Sequence, residues 1–261
     1  MPKEESGSIV AFRVTFISSS CVRMLSSVLH PPKTMRQLYL LAYNGLLCAG
    51  WGVILAQTLQ ILAANGLTET AFKQVHPKIR FLLLVCQSAA LMEILHSIVG
   101  LVKSPFMTTF LQVMSRIIVL YGALEVGTTK VTNASWATQM IIAWALSEIL
   151  RYSYYFVNLL TEKEKIPKIM TWARYSGFML LYPMGISGEI ACLYNALDHV
   201  KQNKIYTVEM PNTYNFSFSY YNFIWFALLG LYPYGSYVMY TYMLAQRKKV
   251  LSGGSEKKKT A

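Results

Sequence analysis

The chain has 261 residues, 54% of them hydrophobic and only 14% charged, with a mean hydropathy of +0.36 and a formal net charge of +12. A soluble domain carries about 25% charged residues, so this balance excludes an ordinary water-soluble globule and points to a membrane protein. Nor does the positive charge indicate a nucleic-acid binder. Its Lys and Arg gather beside apolar segments, in the first 36 residues, between Glu162 and Arg174 and from Arg247 onward, as topology signals and anionic headgroup contacts do.

Residues 1–37 contain Lys3, Arg13, Arg23, Lys33 and Arg36, many serines and no acid after Glu5. That composition is shared by transit peptides and by basic disordered arms, and the second is the expectation here. A product starting at Met35, directly before the first apolar segment, is a third reading. Ile9–Ile17 is too short, and too interrupted by Arg13, to span a bilayer.

Six apolar segments follow, each near the ~20 residues a span requires. They run roughly over 38–62, 81–102, 106–124, 134–160, 175–197 and 220–245. Lys103-Ser104-Pro105 predicts a tight joint between the second and third, while Pro167 and Pro211 fall in loops. No strand-period alternation appears. The expected fold is therefore all-α: a polytopic membrane bundle of about six transmembrane helices spanning 38–246, with a basic tail over 247–261.

In a six-span arrangement most Lys and Arg lie on one side, with the N-terminal region, Lys103, the loop from Lys163 to Arg174 and the tail. Only Lys73, Lys78, Arg80, Lys130, Lys201 and Lys204 lie on the other. Positive residues mark the cytosolic side, so both termini are expected there. The sequons Asn133-Ala134-Ser135 and Asn215-Phe216-Ser217 then fall on the luminal side. The chain ends Lys257-Lys258-Lys259-Thr260-Ala261, which resembles a dilysine retrieval signal of endoplasmic-reticulum membrane proteins; a plain solvated lysine run is the bland alternative.

Cys21, Cys48, Cys86 and Cys192 show no CxxC spacing and read as small buried hydrophobes. A cysteine-dependent phosphatase needs an arginine six residues after its cysteine. Those positions hold Ser27, Ile54, Met92 and Asp198, which excludes that chemistry.

Inside the apolar segments lie Glu93, His96, Arg116, Glu148, Arg151 and Glu189. At about 1.5 Å per residue, Glu93, Arg116, Arg151 and Tyr182 sit roughly 12–18 Å deep and Glu148 and Glu189 near 20 Å. Charges are costly in lipid, so this layer is expected to face a common interior. Three carboxylates meet two guanidinium groups. Glu148 and Arg151 are spaced to pair on their own helix, and at least one acid is left without a basic partner. Interhelical hydrogen bonding, worth about 0.6 kcal/mol per residue, is the structural alternative to a functional role. Tyr182 and Glu189, seven residues apart, return to nearly one helix face about 10 Å along the axis.

Leu231-Tyr232-Pro233-Tyr234-Gly235 repeats the Leu-Tyr-Pro-x-Gly pattern of Leu181 to Gly185, but Met239 stands where Glu189 would be. The repeat by itself is read as a proline kink with a glycine for close helix approach.

Three segments, W-A-L-S-E-I-L-R-Y-S-Y-Y from Trp144 to Tyr155, Trp172-Ala173-Arg174-Tyr175 and Leu181-Tyr182-Pro183-Met184-Gly185-Ile186-Ser187-Gly188-Glu189, resemble the signature of the very-long-chain (3R)-3-hydroxyacyl-CoA dehydratases. The resemblance covers about 38–249. It implies removal of water from a 3-hydroxyacyl-CoA to give the trans-2-enoyl-CoA, the third step of fatty-acid elongation, in the endoplasmic-reticulum membrane. It also implies Tyr182 and Glu189 as catalytic residues, one serving as base and the other as acid; which is which stays open.

Glu148, Arg151, Tyr152 and Arg174 are expected to support that pair, with Arg151 a candidate to activate a Tyr182 phenolate. Lys168 and Arg174 are candidates for the CoA phosphates. No metal or cofactor motif is visible. The expected partners are the acyl-CoA substrate, the bilayer, and the condensing enzyme and reductases of elongation, with no nucleic acid. Two other readings are a catalytically silent scaffold of the elongation complex and a small transporter.

Overall fold

In a computed structural model, which describes residues 34–126, 128–161 and 165–256, each of the six apolar segments forms a long helical rod. The readings of residues 1–33 and of the closing lysines lie outside the described residues. The first rod is α1 (Met35–Asn65), capped by Thr34, whose side chain accepts from the Gln37 amide. The second is α2 (Glu69–Ala89) continued by α3 (Leu91–Ile98). It starts a dozen residues before the apolar run because Thr68 caps it, accepting from the Ala71 amide. That polar first part carries Val75 and Ile79 into the core.

Gly100, at φ 67°, ends the second rod in the left-handed conformation that glycine adopts without a Cβ clash. A short joint through Pro105 then leads to α4 (Phe106–Val119), which closes in a π turn over Leu120–Leu124. After the small α5 (Thr129–Thr132) come α6 (Ser135–Leu160), α7 (Lys168–Ser176) running through Gly177 into α8 (Phe178–Gln202), and α9 (Tyr220–Phe226). A π turn over Ala227–Leu231 joins α9 to α10 (Tyr232–Glu256). The last helix passes through Arg247, Lys248 and Lys249, so the first part of the predicted tail is helical.

The rods alternate in direction. At one end of the bundle Arg36 reaches the Leu101 carbonyl, Arg174 the Tyr155 hydroxyl, and Arg247 the Ser176 hydroxyl. At the other end Arg80 pairs with Glu125, Lys130 with Asp198, and His199 meets the Val126 carbonyl. Thr34 and Glu256 therefore lie at the same end. An even number of antiparallel rods requires this.

Helix α6 is the hub, packed against α1 on one side and α8 on the other. Its Met140, Ile141 and Trp144 join Trp51, Ile54, Leu83, Leu193 and Ile224 in one core. Large apolar side chains also cover the outside, among them Leu46, Phe81, Leu180 and Leu229, each at least two-thirds exposed. Such a surface suits hydrocarbon rather than water.

Four of the rods, Met35–Asn65, Glu69–Ile98, Phe106–Leu124 and Lys168–Gln202, are long and apolar enough to cross a membrane. The other two are less apolar for different reasons. Helix α6 holds Glu148 and Arg151 toward its neighbours, whereas the last rod is rich in tyrosine and ends in basic residues.

Candidate active site

The site begins with how closely α6 and α8 approach. A Cβ at Gly188 would lie 2.6 Å from the Met140 Cβ and 2.8 Å from the Trp136 carbonyl oxygen. Only a residue without a side chain permits this contact, which brings backbone against backbone. Pro183 sits within an unbroken α8. Gly235, its counterpart in the repeated pattern, has no neighbour within 4 Å of a built Cβ, so the close-approach reading of that repeat does not hold for the last rod.

One turn of α6 beyond the Gly188 seam, the indole N–H of Trp144 donates to Glu189 Oε1 at 2.9 Å. From α10, the Tyr232 hydroxyl donates to Glu189 Oε2 at 3.0 Å. Glu189 is 5% exposed, and both of its oxygens are satisfied by neutral donors.

Tyr182 lies on the same helix, partly exposed, with its ring against Tyr240 at 6.1 Å. Its hydroxyl interacts with Ser236 and lies within electrostatic reach of Glu189 and Arg116. Among the described residues no hydrogen bond joins Tyr182 to Glu189. The pair shares a helix and lies within mutual electrostatic reach.

Glu93, Arg116, Glu148 and Arg151 form a second cluster, one to two turns along α6. Arg151 grips Glu93 in a two-pronged pair at 2.6 and 2.8 Å and its own-helix neighbour Glu148 at 2.5 and 2.9 Å. Tyr152 donates to Glu93 and receives from Arg151. Arg116 on α4 bonds to the other Glu148 oxygen and, at 3.3 Å, to Ser147. Two guanidinium groups thus neutralise two carboxylates, and among the described residues no Lys, Arg or His side chain forms an ion pair with Glu189.

The two clusters touch where the Arg116 guanidinium lies over the Trp144 ring, 5.6 Å from its centroid. Arg116, not Arg151, is the cation within electrostatic reach of both Tyr182 and Glu189. The expected activation of Tyr182 by Arg151 is not what the geometry offers, because Glu93 and Glu148 already occupy that guanidinium.

Arg174 stands apart, over the rings of Tyr155 and Tyr175 at the end of the bundle that holds Thr34 and Glu256, and Lys168 is exposed at the start of α7. Spacing arguments missed Trp144 and Tyr232 as partners of Glu189. Trp144 was legible only as part of a motif, and Tyr232 was set aside because its repeat lacks an acid.

Among the described residues, no cluster of three or more His, Cys, Asp or Glu side chains is placed to hold a metal ion. A cleft of about 320 Å³ at the far end, lined by His76, Arg80, Glu125, Thr129 and Thr132, shares no residue with either cluster. Of the three cysteines in the described residues, Cys86 and Cys192 are buried and Cys48 half-buried, all as free thiols.

Residues 87–253 match the family model described as "Protein tyrosine phosphatase-like protein, PTPLA". The chain is 41% identical over 222 residues to the very-long-chain (3R)-3-hydroxyacyl-CoA dehydratase hpo-8 of Caenorhabditis elegans, covering 85% of this chain and 98% of that protein. It is 40% identical over 221 residues to the dehydratase PASTICCINO 2 of Arabidopsis thaliana, covering 84% and 95%, and 37% identical over 221 residues to dehydratase 2 of Homo sapiens, covering 85% and 84%. No solved structure matches. The chain belongs to the PTPLA family, together with these very-long-chain (3R)-3-hydroxyacyl-CoA dehydratases.

Proposed function

We propose that this protein is a very-long-chain (3R)-3-hydroxyacyl-CoA dehydratase, a hydro-lyase, in which Glu189 is the base and Tyr182 the acid. The observation that carries the assignment of roles is the environment of Glu189. Both of its oxygens accept hydrogen bonds from neutral donors, Trp144 and Tyr232, which hold the carboxyl group in one orientation without committing it to a paired cation. Tyr182 has a hydroxyl proton to give and is less enclosed.

In the reaction, Glu189 removes the proton from C2 beside the thioester carbonyl. The electron pair of that C–H bond becomes the C2–C3 double bond, and the C3–O bond breaks. Tyr182 protonates the departing hydroxyl, which leaves as water; a proton returned from Glu189 to the Tyr182 phenolate closes the cycle. Arg116, paired with Glu148, lies within electrostatic reach of both groups and is the cation nearest in influence to the developing charge.

The setting is a six-span bundle in the endoplasmic-reticulum membrane with both termini cytosolic, a basic extension over 1–37 and a basic tail over 247–261. The placement of Thr34 and Glu256 at one end of the bundle supports this topology, as does the distribution of Lys and Arg. A very long acyl chain suits the hydrocarbon and a CoA head suits the basic end, where Lys168 and Arg174 can meet its phosphates. The condensing enzyme and the two reductases of elongation are the proposed neighbours.

The test is purified protein with a long-chain 3-hydroxyacyl-CoA. Enoyl product is expected from the wild type, with a loss of about 10²–10⁴-fold in Glu189→Gln and in Tyr182→Phe. Undiminished turnover in either variant removes that residue from the mechanism. A folded wild-type sample that makes no product favours a scaffold instead.

A further inference from the structure

Helix α10 presents Tyr232, Ser236 and Tyr240 at four-residue spacing, hence on one face, and that face meets the working stripe of α8. Tyr232 bonds to Glu189, Ser236 interacts with Tyr182, and the Tyr240 ring lies 5.5 Å from Phe178 and 6.1 Å from Tyr182. Tyr234 and Tyr237, on the other faces, are 73% and 70% exposed, whereas Tyr232 is 8% exposed.

The direction of Tyr232 is set by the π turn over Ala227–Leu231 immediately before it. A π turn holds one extra residue, which rotates everything after it by about 100° relative to an uninterrupted α-helix. Without that residue a different side chain would face Glu189. A buried hydroxyl also costs free energy unless it is bonded, and phenylalanine would fill the same space without that requirement. The hydroxyl at this position therefore has one evident use, its bond to Glu189 Oε2.

We propose that Tyr232 is a positioning residue for the dehydration: with Trp144 fixing Oε1 from α6, it fixes Oε2 from α10 and so sets the rotation of the Glu189 carboxylate towards the substrate's C2 proton. This rests on the reading of Glu189 as the base. It gives the repeated Leu-Tyr-Pro-x-Gly segment a function distinct from that of the first copy: one copy carries the acid, and the other orients the base.

The experiment uses the full chain, purified in detergent, with the variants Tyr232→Phe, Tyr234→Phe and Glu189→Gln. It measures kcat and KM for a long-chain 3-hydroxyacyl-CoA, the thermal unfolding midpoint, and the isotope effect on kcat with substrate deuterated at C2. Losing a hydrogen bond to a charged group corresponds to a rate loss of about ten- to a hundredfold.

Tyr232→Phe is expected to lose that much kcat, with KM within about twofold of the wild type, and to stay fully folded at the assay temperature although the unmet Glu189 Oε2 lowers its unfolding midpoint. Its isotope effect is expected to be at least as large as the wild-type value, because the slowed step is C–H cleavage. Tyr234→Phe is expected to match the wild type. The inference is overturned by a wild-type kcat in Tyr232→Phe, by a loss accounted for by unfolded protein, or by a smaller isotope effect, which would put the damage in another step. If Glu189→Gln keeps full turnover, the underlying reading of Glu189 fails; if Glu189→Gln is inactive while Tyr232→Phe is unimpaired, only the inference about Tyr232 fails.

Discussion

The Trp144 indole N–H and the Glu189 carboxylate meet at 2.9 Å across the seam between α6 and α8, and the same indole carries the Arg116 guanidinium on its face. One side chain thus links the neutralised charge cluster to the acid that has no paired base. The geometry makes Trp144 both a hydrogen-bond donor and a spacer that keeps an arginine from pairing directly with Glu189, which would tie up the proposed base.

The charge cluster is expected to behave as a unit. Removing one partner from a buried pair leaves an uncompensated charge and costs about 3–5 kcal/mol. Arg151→Leu strands Glu93, leaves Glu148 with Arg116 as its one cation, and is expected to lower the unfolding midpoint steeply. Arg151→Lys is expected to recover only part of the loss, since an ammonium cannot reproduce the two-pronged grip on Glu93. Thermal unfolding in detergent reads both; full stability in Arg151→Leu would show that the cluster does not hold the helices together.

Gly188→Ala places a methyl group 2.6 Å from Met140 and 2.8 Å from the Trp136 carbonyl. Backbone cannot yield as a flexible side chain can, so α8 must move away from α6. Overpacking of this kind costs about 1–3 kcal/mol, and the shift also lengthens the Trp144–Glu189 bond. The expected outcome is a lower unfolding midpoint together with a lower kcat. A variant with wild-type values for both would show that the seam is looser than described.

Gln87 is 1% exposed, and among the described residues neither its amide nitrogen nor its amide oxygen has a hydrogen-bond partner. An unsatisfied buried polar group costs about 1–3 kcal/mol. Gln87→Met keeps the length and removes the unmet demand, so it is expected to raise the unfolding midpoint. A fall would show that the amide has a bonding partner after all, such as a buried water.

Lys168→Ala combined with Arg174→Ala removes two positive charges from the end of the bundle proposed to receive the CoA phosphates. The double variant is expected to raise KM several-fold with kcat little changed, because these groups lie away from Glu189 and bind ground state and transition state alike. The KM difference is also expected to shrink as salt is added. An unchanged KM would leave these residues as topology signals only.

The shortage of charge and the six apolar runs in the sequence determined that the protein is helical and built for a membrane. The count of three acids against two arginines determined that one carboxylate would stand alone, and the Tyr-Pro-x-Gly-x-x-Gly-Glu segment with its neighbouring motifs pointed to the family. These features are local or additive, so they can be read along one chain. Tertiary structure alone decided which acid stands alone and what surrounds it. Arg151 satisfies Glu93 and Glu148 because α2, α3 and α6 converge, while Glu189 receives Trp144 and Tyr232 from helices 45 and 43 residues away. Contacts at such separations depend on a glycine seam and on the rotation introduced by one π turn, and no spacing rule within a single helix contains either.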